Sequence, residues 1–179
     1  MVVLKNLISQ NENLKDVFKD FSSEKMNCVV NGISSNSKEI KKGYIFVALK
    51  GQKFDGTDFI EEAKKNGALI ILAESVDKEN VISLRKGTSR KVYSLLLSCF
   101  YEKQPRQIVG VTGTNGKTSV VEFCRQIWEQ ASWKTASMGT LGTKIGTISE
   151  KNNLLTSTEN LTTYEPANLY KSIFKSIWL

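Results

Sequence analysis

Apolar and polar residues alternate along this chain in blocks whose period switches between that of a helix and that of a strand. Near the N-terminus Leu4, Leu7, Ile8 and Leu14 recur at spacings that share one helical face, so residues 1–30 read as a short amphipathic helix. YIFVAL (44–49) is an unbroken apolar run, the pattern of a buried strand, and the loop KGQKFDG closes it. TDFIEEAKKNG then turns helical, with Thr57 as its N-cap, acids in the first turn and lysines in the last. Gly67 stands where a glycine commonly ends a helix. ALIILA (68–73) is a second strand, which completes a β-loop-α-β unit. SRKVYSLLLSCFY (89–101) reads as a further helix, capped by Ser89.

The polar stretch EKQPRQ (102–107) holds one of the two prolines and separates that helix from a glycine-rich segment. A domain boundary falls there, giving units 1–103 and 104–179. The second unit reads as strand IVGV (108–111), loop TGTNG, helix 117–131 and strand TASMG (135–139). Val120, Cys124, Ile127 and Ala131 recur at helical spacing, while Glu122, Arg125 and Glu129 face elsewhere. No internal repeat interrupts this order.

Composition narrows the function classes. The 179 residues are 40% hydrophobic and 24% charged, as in a soluble globular protein. No run of eighteen apolar residues and no signal-peptide core occurs, which argues for a cytoplasmic protein with no membrane segment. The net charge of +7 calls for an anionic partner. Lysines come as scattered pairs, Lys41-Lys42 and Lys64-Lys65, without interleaved aromatics, so nucleic acid is not the expected one. Cys28, Cys99 and Cys124 form no CxxC and histidine is absent, which leaves reduced thiols rather than a zinc site.

The candidate chemistry lies in IVGVTGTNGKTSVVEFC, from residue 108. Gly110, Gly113 and Gly116 recur every third residue and Lys117-Thr118 follows at once. A strand, a glycine turn and a helix N-terminus in that order offer fixed backbone N–H groups to a polyphosphate. Glycine suits the turn because it tolerates positive φ and lets the phosphate approach the backbone. In this reading Gly113, Thr114, Asn115, Gly116, Lys117, Thr118 and Ser119 bind ATP. Lys117 reaches the terminal phosphates as the catalytic cation, and the Thr118 hydroxyl ligates Mg²⁺. The common form GxxxxGK[ST] needs glycine at 111, where Val111 stands; here the glycine comes one place earlier.

GVTGTNGKTS (110–119) closely resembles the ATP loop of the Mur ligases, the amino-acid-adding enzymes of peptidoglycan synthesis, and of folylpolyglutamate synthetase. SMGTLG (137–142) and LTTYEPANLYKSI (161–173) are similar to segments of the MurE type, and the MurF type typically lacks both. SSNSKEIKKGYIFVALKGQKFDG (34–56) resembles the domain by which these enzymes hold the uridine nucleotide. The family's Asp-Ser-Arg appears there as Asn36-Ser37-Lys38, which keeps the charge but not the fork of arginine. The KGQKFDG loop reads equally well as a uridine contact or as a plain hairpin connection.

The resemblance implies an α/β protein: a small UDP-binding α/β domain, then the start of a P-loop ATP-binding central domain. It implies ATP-dependent addition of a diamino acid, meso-diaminopimelate or L-lysine, to UDP-MurNAc-L-Ala-D-Glu through an acyl phosphate. Ser37, Thr162 and Thr163 match substrate-binding positions, although proline is usual where Tyr164 stands. The family's chains are much longer, and their remaining acidic Mg²⁺ ligand, modified lysine and histidine have no counterpart here. The expectation is therefore a truncated or split piece, inactive alone, with a separately encoded C-terminal part as a candidate partner. A non-catalytic binding fragment and a MurF-type piece are the alternatives. A partial sheet also predicts an open edge prone to aggregation.

Overall fold

The computed structural model describes residues 1–51, 54–145 and 165–177. The chain divides into two compact units, Met1–Glu102 and Lys103–Leu179.

The first unit is built on four parallel strands in sheet order β3 (Gly32–Ser34), β4 (Tyr44–Ala48), β5 (Ala68–Glu74) and β6 (Val81–Leu84). Parallel sheets are stable when both faces are covered, and successive side chains of a strand point to opposite faces. Phe46 and Ala48 of β4 join Ile71 and Ala73 of β5 in one cluster. That cluster is closed by Ile60 and Ala63 of α4 (Ile60–Lys65) and by Ile40. The alternate residues Ile45, Val47 and Leu72 are fully buried and belong to the other face. There α5 (Ser89–Phe100) packs on β3, β4 and β5 with Val92, Tyr93, Leu96 and Leu97 buried. Outside it lie α1 (Leu4–Ser9) and α2 (Glu12–Val17), whose Leu4, Leu7, Ile8 and Leu14 are buried. Each such side chain contributes about 1.5–3 kcal/mol by leaving water.

Several sequence expectations need correction here. The N-terminal helix is broken in two, because Asn11 accepts a hydrogen bond from the Asn13 amide and starts a new helix. A third short helix, α3 (Ser23–Met26), follows, and β1 (Val2–Val3) pairs antiparallel with β2 (Val29–Val30). Thr57 does not cap: it lies inside a 3₁₀ turn, Gly56–Phe59, and gives its amide and hydroxyl to Asp55. Ser89 does not cap α5 either. The Glu74 carboxylate, at the end of β5, accepts the Gly87 and Ser89 amides at 2.8 Å each. Gly67 ends α4 at φ +94° as expected.

The second unit contains α6 (Lys117–Gln130), the antiparallel hairpin β7 (Ala136–Gly139) and β8 (Gly142–Ile145), and α7 (Pro166–Ile177). The expected strand at 108–111 does not form; Ile108 and Val109 are 62% and 57% exposed. A strand needs a ladder partner, and β7 pairs with β8 instead. The faces of α6 are also the reverse of the expectation. Val120, Ile127 and Ala131 are exposed and Cys124 is half-buried, while the Arg125 and Glu129 side chains keep only 11% and 4% of their surface. Arg125 fills its charge requirement on its own helix, with Glu122 at 2.6 Å and Glu129 at 2.9 Å, so a neutralised cluster packs where an apolar stripe was expected. Among the described residues no helix is long and apolar enough to cross a membrane, and Cys28, Cys99 and Cys124 are free thiols.

Candidate functional site

The glycine loop is shaped by its backbone. Gly113 has φ +144° and Gly116 has φ +76°, both costly for residues with a side chain. Gly116 occupies the N-cap position of α6 and offers no side chain to the helix end. The first-turn amides of a helix have no acceptor within it, so this end presents bare donors and the positive pole of the helix dipole. A β-carbon at Gly110 or Gly116 would meet nothing within 4 Å, so the loop is open to a ligand rather than packed.

The Lys117 ammonium folds back over this loop and donates to the carbonyls of Gly113 and Thr114. Among the described residues no carboxylate forms an ion pair with it. The Thr118 hydroxyl lies 3.1 Å from that of Thr140, in the turn between β7 and β8. Lys117, Thr118, Glu122, Ser137, Thr140 and Lys144 are among the residues lining a cavity of about 80 Å³ beside the loop. Glu122 is held ionised, its pKa pulled down to about 2 chiefly by hydrogen bonding from Arg125. Lys144 lies 3.5 Å from the second Glu122 oxygen. Glu129 forms an ion pair with Arg125 at 2.9 Å. Glu122 and Glu129 thus balance Arg125 and Lys144, and among the described residues Lys117 is the cavity cation without a carboxylate partner. Such a wall favours an anion.

Thr118 offers one oxygen to a hard cation; phosphate oxygens and water would complete its shell, as magnesium commonly requires. No group of three or more His, Cys, Asp or Glu suited to a metal occurs among the described residues.

In the first unit Ser37 opens a 3₁₀ turn, Ser37–Glu39, and is 5% exposed. Its hydroxyl donates to Glu62 of α4 at 2.5 Å, while Asn66 donates to its carbonyl at 2.9 Å. Asn36 caps the turn by accepting the Lys38 amide. After β4 the Gly56 amide donates to the Leu49 carbonyl and the Gly51 amide to the Phe54 carbonyl, and Phe54 is 71% exposed. Thr162 and Thr163 lie outside the described residues. The structure therefore gathers Lys117 and Thr118 at one cavity and sets Ser37 in the other unit. Thr140 and Lys144 are additions that sequence reasoning missed, although SMGTLG, which contains Thr140, already stood out.

Comparison with known proteins agrees with this architecture. The profile for the Mur ligase family, catalytic domain, matches residues 29–98, and that for the Mur ligase middle domain matches residues 111–176. The UDP-N-acetylmuramoyl-L-alanyl-D-glutamate–2,6-diaminopimelate ligase of Caulobacter vibrioides is 40% identical over 148 residues, 81% of this chain and 30% of that protein. The enzyme of the same name from Rickettsia typhi is 36% identical over 162 residues, 89% of this chain and 30% of its own length. A solved structure of a ligase of that name superimposes with a TM-score of 0.68 at 23% identity, over 90% of this chain and 32% of that one; the likeness is one of fold. The chain thus spans about 30% of the length of the curated relatives it matches.

Proposed function

Because the chain belongs to the Mur ligase family, we propose that it supplies the uridine-nucleotide-binding unit and the ATP loop of a MurE-type ligase. The reaction joins a diamino acid to UDP-MurNAc-L-Ala-D-Glu in the cytoplasm. The names of the relatives favour 2,6-diaminopimelate over lysine as that amino acid. The γ-phosphate of ATP passes to the substrate carboxylate, and the amine attacks the resulting acyl phosphate. An amide forms, and ADP and phosphate leave. The obstacle is the repulsion between two anions, which preorganised positive charge lowers.

The observation that carries this reading is the uncapped N-terminus of α6 behind a positive-φ glycine turn, with Lys117 beside it facing a cavity. Gly113, Thr114, Asn115, Gly116, Lys117, Thr118 and Ser119 would wrap the phosphates. Lys117 would exchange two carbonyl partners for phosphate oxygens, and Thr118 would hold Mg²⁺, which supplies further charge neutralisation. Ser37, Thr162 and Thr163 would contact the UDP-MurNAc-dipeptide.

A second reading, favoured by the match of this chain to only about 30% of its relatives' length, is nucleotide binding without turnover by this chain alone. Isothermal titration of the 179-residue chain with ATP tests the first reading. Lys117→Ala should weaken binding at least about tenfold, the cost of a lost charge-assisted contact. An unchanged affinity sinks the reading. Phosphate release from ATP, UDP-MurNAc-dipeptide and meso-diaminopimelate decides the second: none is expected from this chain, and steady release refutes it.

A further inference from the structure

We propose that Thr140 is a positioning residue that fixes the direction of the Thr118 hydroxyl, an inference that rests on the nucleotide-binding reading above. The two residues are 22 positions apart and belong to different elements, the first turn of α6 and the β7–β8 turn. Their Oγ1 atoms meet at 3.1 Å. Both side chains are exposed, so water could satisfy each of them. Burial does not force the pairing; the fold brings the two hydroxyls together. Thr118 is the second residue of α6, so the carbonyl four residues earlier, that of Thr114, lies before the helix begins and the back-bond of a mid-helix threonine does not apply.

The consequence concerns the proton. A hydroxyl that binds a cation through its oxygen must aim a lone pair at the metal and send its hydrogen elsewhere. Thr140 Oγ1 is the acceptor in place for that hydrogen. It would thus act on the metal through Thr118, as outer groups orient metal ligands generally. The turn is suited to holding it: Gly142 has φ +80°, and Gly139 pairs with Gly142 to close the hairpin.

The test compares ATP affinity with Mg²⁺ and with EDTA for the full 179-residue chain. Thr140→Val keeps the shape and removes the acceptor, and Thr140→Ser restores it. Magnesium should tighten ATP binding by wild type and Thr140→Ser alike, while Thr140→Val loses about tenfold of that tightening. Its affinity in EDTA should stay within about twofold, since the outer group acts only through the metal ligand. Equal Mg²⁺ tightening in Thr140→Val and wild type overturns the proposal. So does a loss of the same size in EDTA, or a Thr140→Ser variant as impaired as Thr140→Val. Lys117→Ala separates the two readings, because it should weaken ATP in both media. If it does not, or if wild type binds no ATP, the nucleotide reading falls and this inference falls with it.

Discussion

Removal of the Glu74 carboxylate is the sharpest test of how the first unit is held. Glu74 ends β5 and accepts the amides of Gly87 and Ser89 at 2.8 Å each, so it does for α5 what an N-cap side chain would do. The residue at the cap position, Thr88, makes no such bond. Glu74→Ala leaves two amides without their acceptor and takes a negative charge from the positive end of a helix that buries Val92, Tyr93, Leu96 and Leu97. Loss of a cap costs about 0.5–2 kcal/mol, and partial solvation of the carboxylate places this one near 1 kcal/mol. For a unit of this size that corresponds to a midpoint fall of roughly 4–8 °C. Glu74→Gln keeps one acceptor and should lose about half as much. Hydrogen bonding from the Ser89 side chain, then from the Gly87 amide, lowers the Glu74 pKa below its ordinary 4.5. The folded pKa is the lower one, so this stabilisation is fully present above pH 4.5 and fades as pH falls through the folded value. Urea unfolding followed by far-ultraviolet circular dichroism, at pH 7 and at steps below pH 4.5, should show the wild-type advantage over Glu74→Gln shrinking toward acid. A Glu74→Ala midpoint equal to wild type at pH 7, or a gap that widens in acid, refutes the long-range cap.

Two further expectations address the second unit. Gly116→Ala meets no steric obstacle, yet its φ of +76° should cost about 1–2 kcal/mol; ATP titration should show weakened binding, and unaltered binding would mean that the loop does not need this conformation. Ile127 is 62% exposed and Arg125 nearly buried, so Ile127→Ser should change stability by less than about 0.5 kcal/mol, whereas Arg125→Ala should cost about 2–3 kcal/mol by stranding Glu129 and leaving Glu122 to Lys144. Denaturant titration orders the pair, and the reverse order would restore the apolar stripe to the core.

What the sequence disclosed follows from how local each determinant is. YIFVAL and ALIILA were legible as strands because a sheet covered on both faces leaves an unbroken apolar run. β3 and β6 were not, since Gly32–Ser34 and Val81–Leu84 are short and take their identity from the neighbours they pair with. The helix over 89–100 was legible, but its cap comes from a residue fifteen positions away, beyond any local pattern. On α6 the apolar period pointed to the wrong face. Glu122, Arg125 and Glu129, at spacings of three and four, neutralise one another and so become fit to pack, which composition by position does not reveal.

The candidate site divides along the same line. Its glycines and Lys117 are contiguous, and backbone sterics alone mark them. Thr140 enters only because a hairpin closes over the helix start. The contiguous part also sets Lys117 among neutral acceptors, with no carboxylate partner among the described residues. Two backbone carbonyls hold the ammonium, and carbonyl dipoles satisfy its hydrogen bonds without cancelling its charge. A carboxylate partner would make the lysine a structural ion pair, costly to break. Carbonyl partners can be exchanged for phosphate oxygens at little cost, and the gain in charge pairing is then realised only when an anion arrives. Glu122, which lines the same cavity, is occupied by Arg125 of α6 and Lys144 of β8, so its charge is spent on them rather than on Lys117.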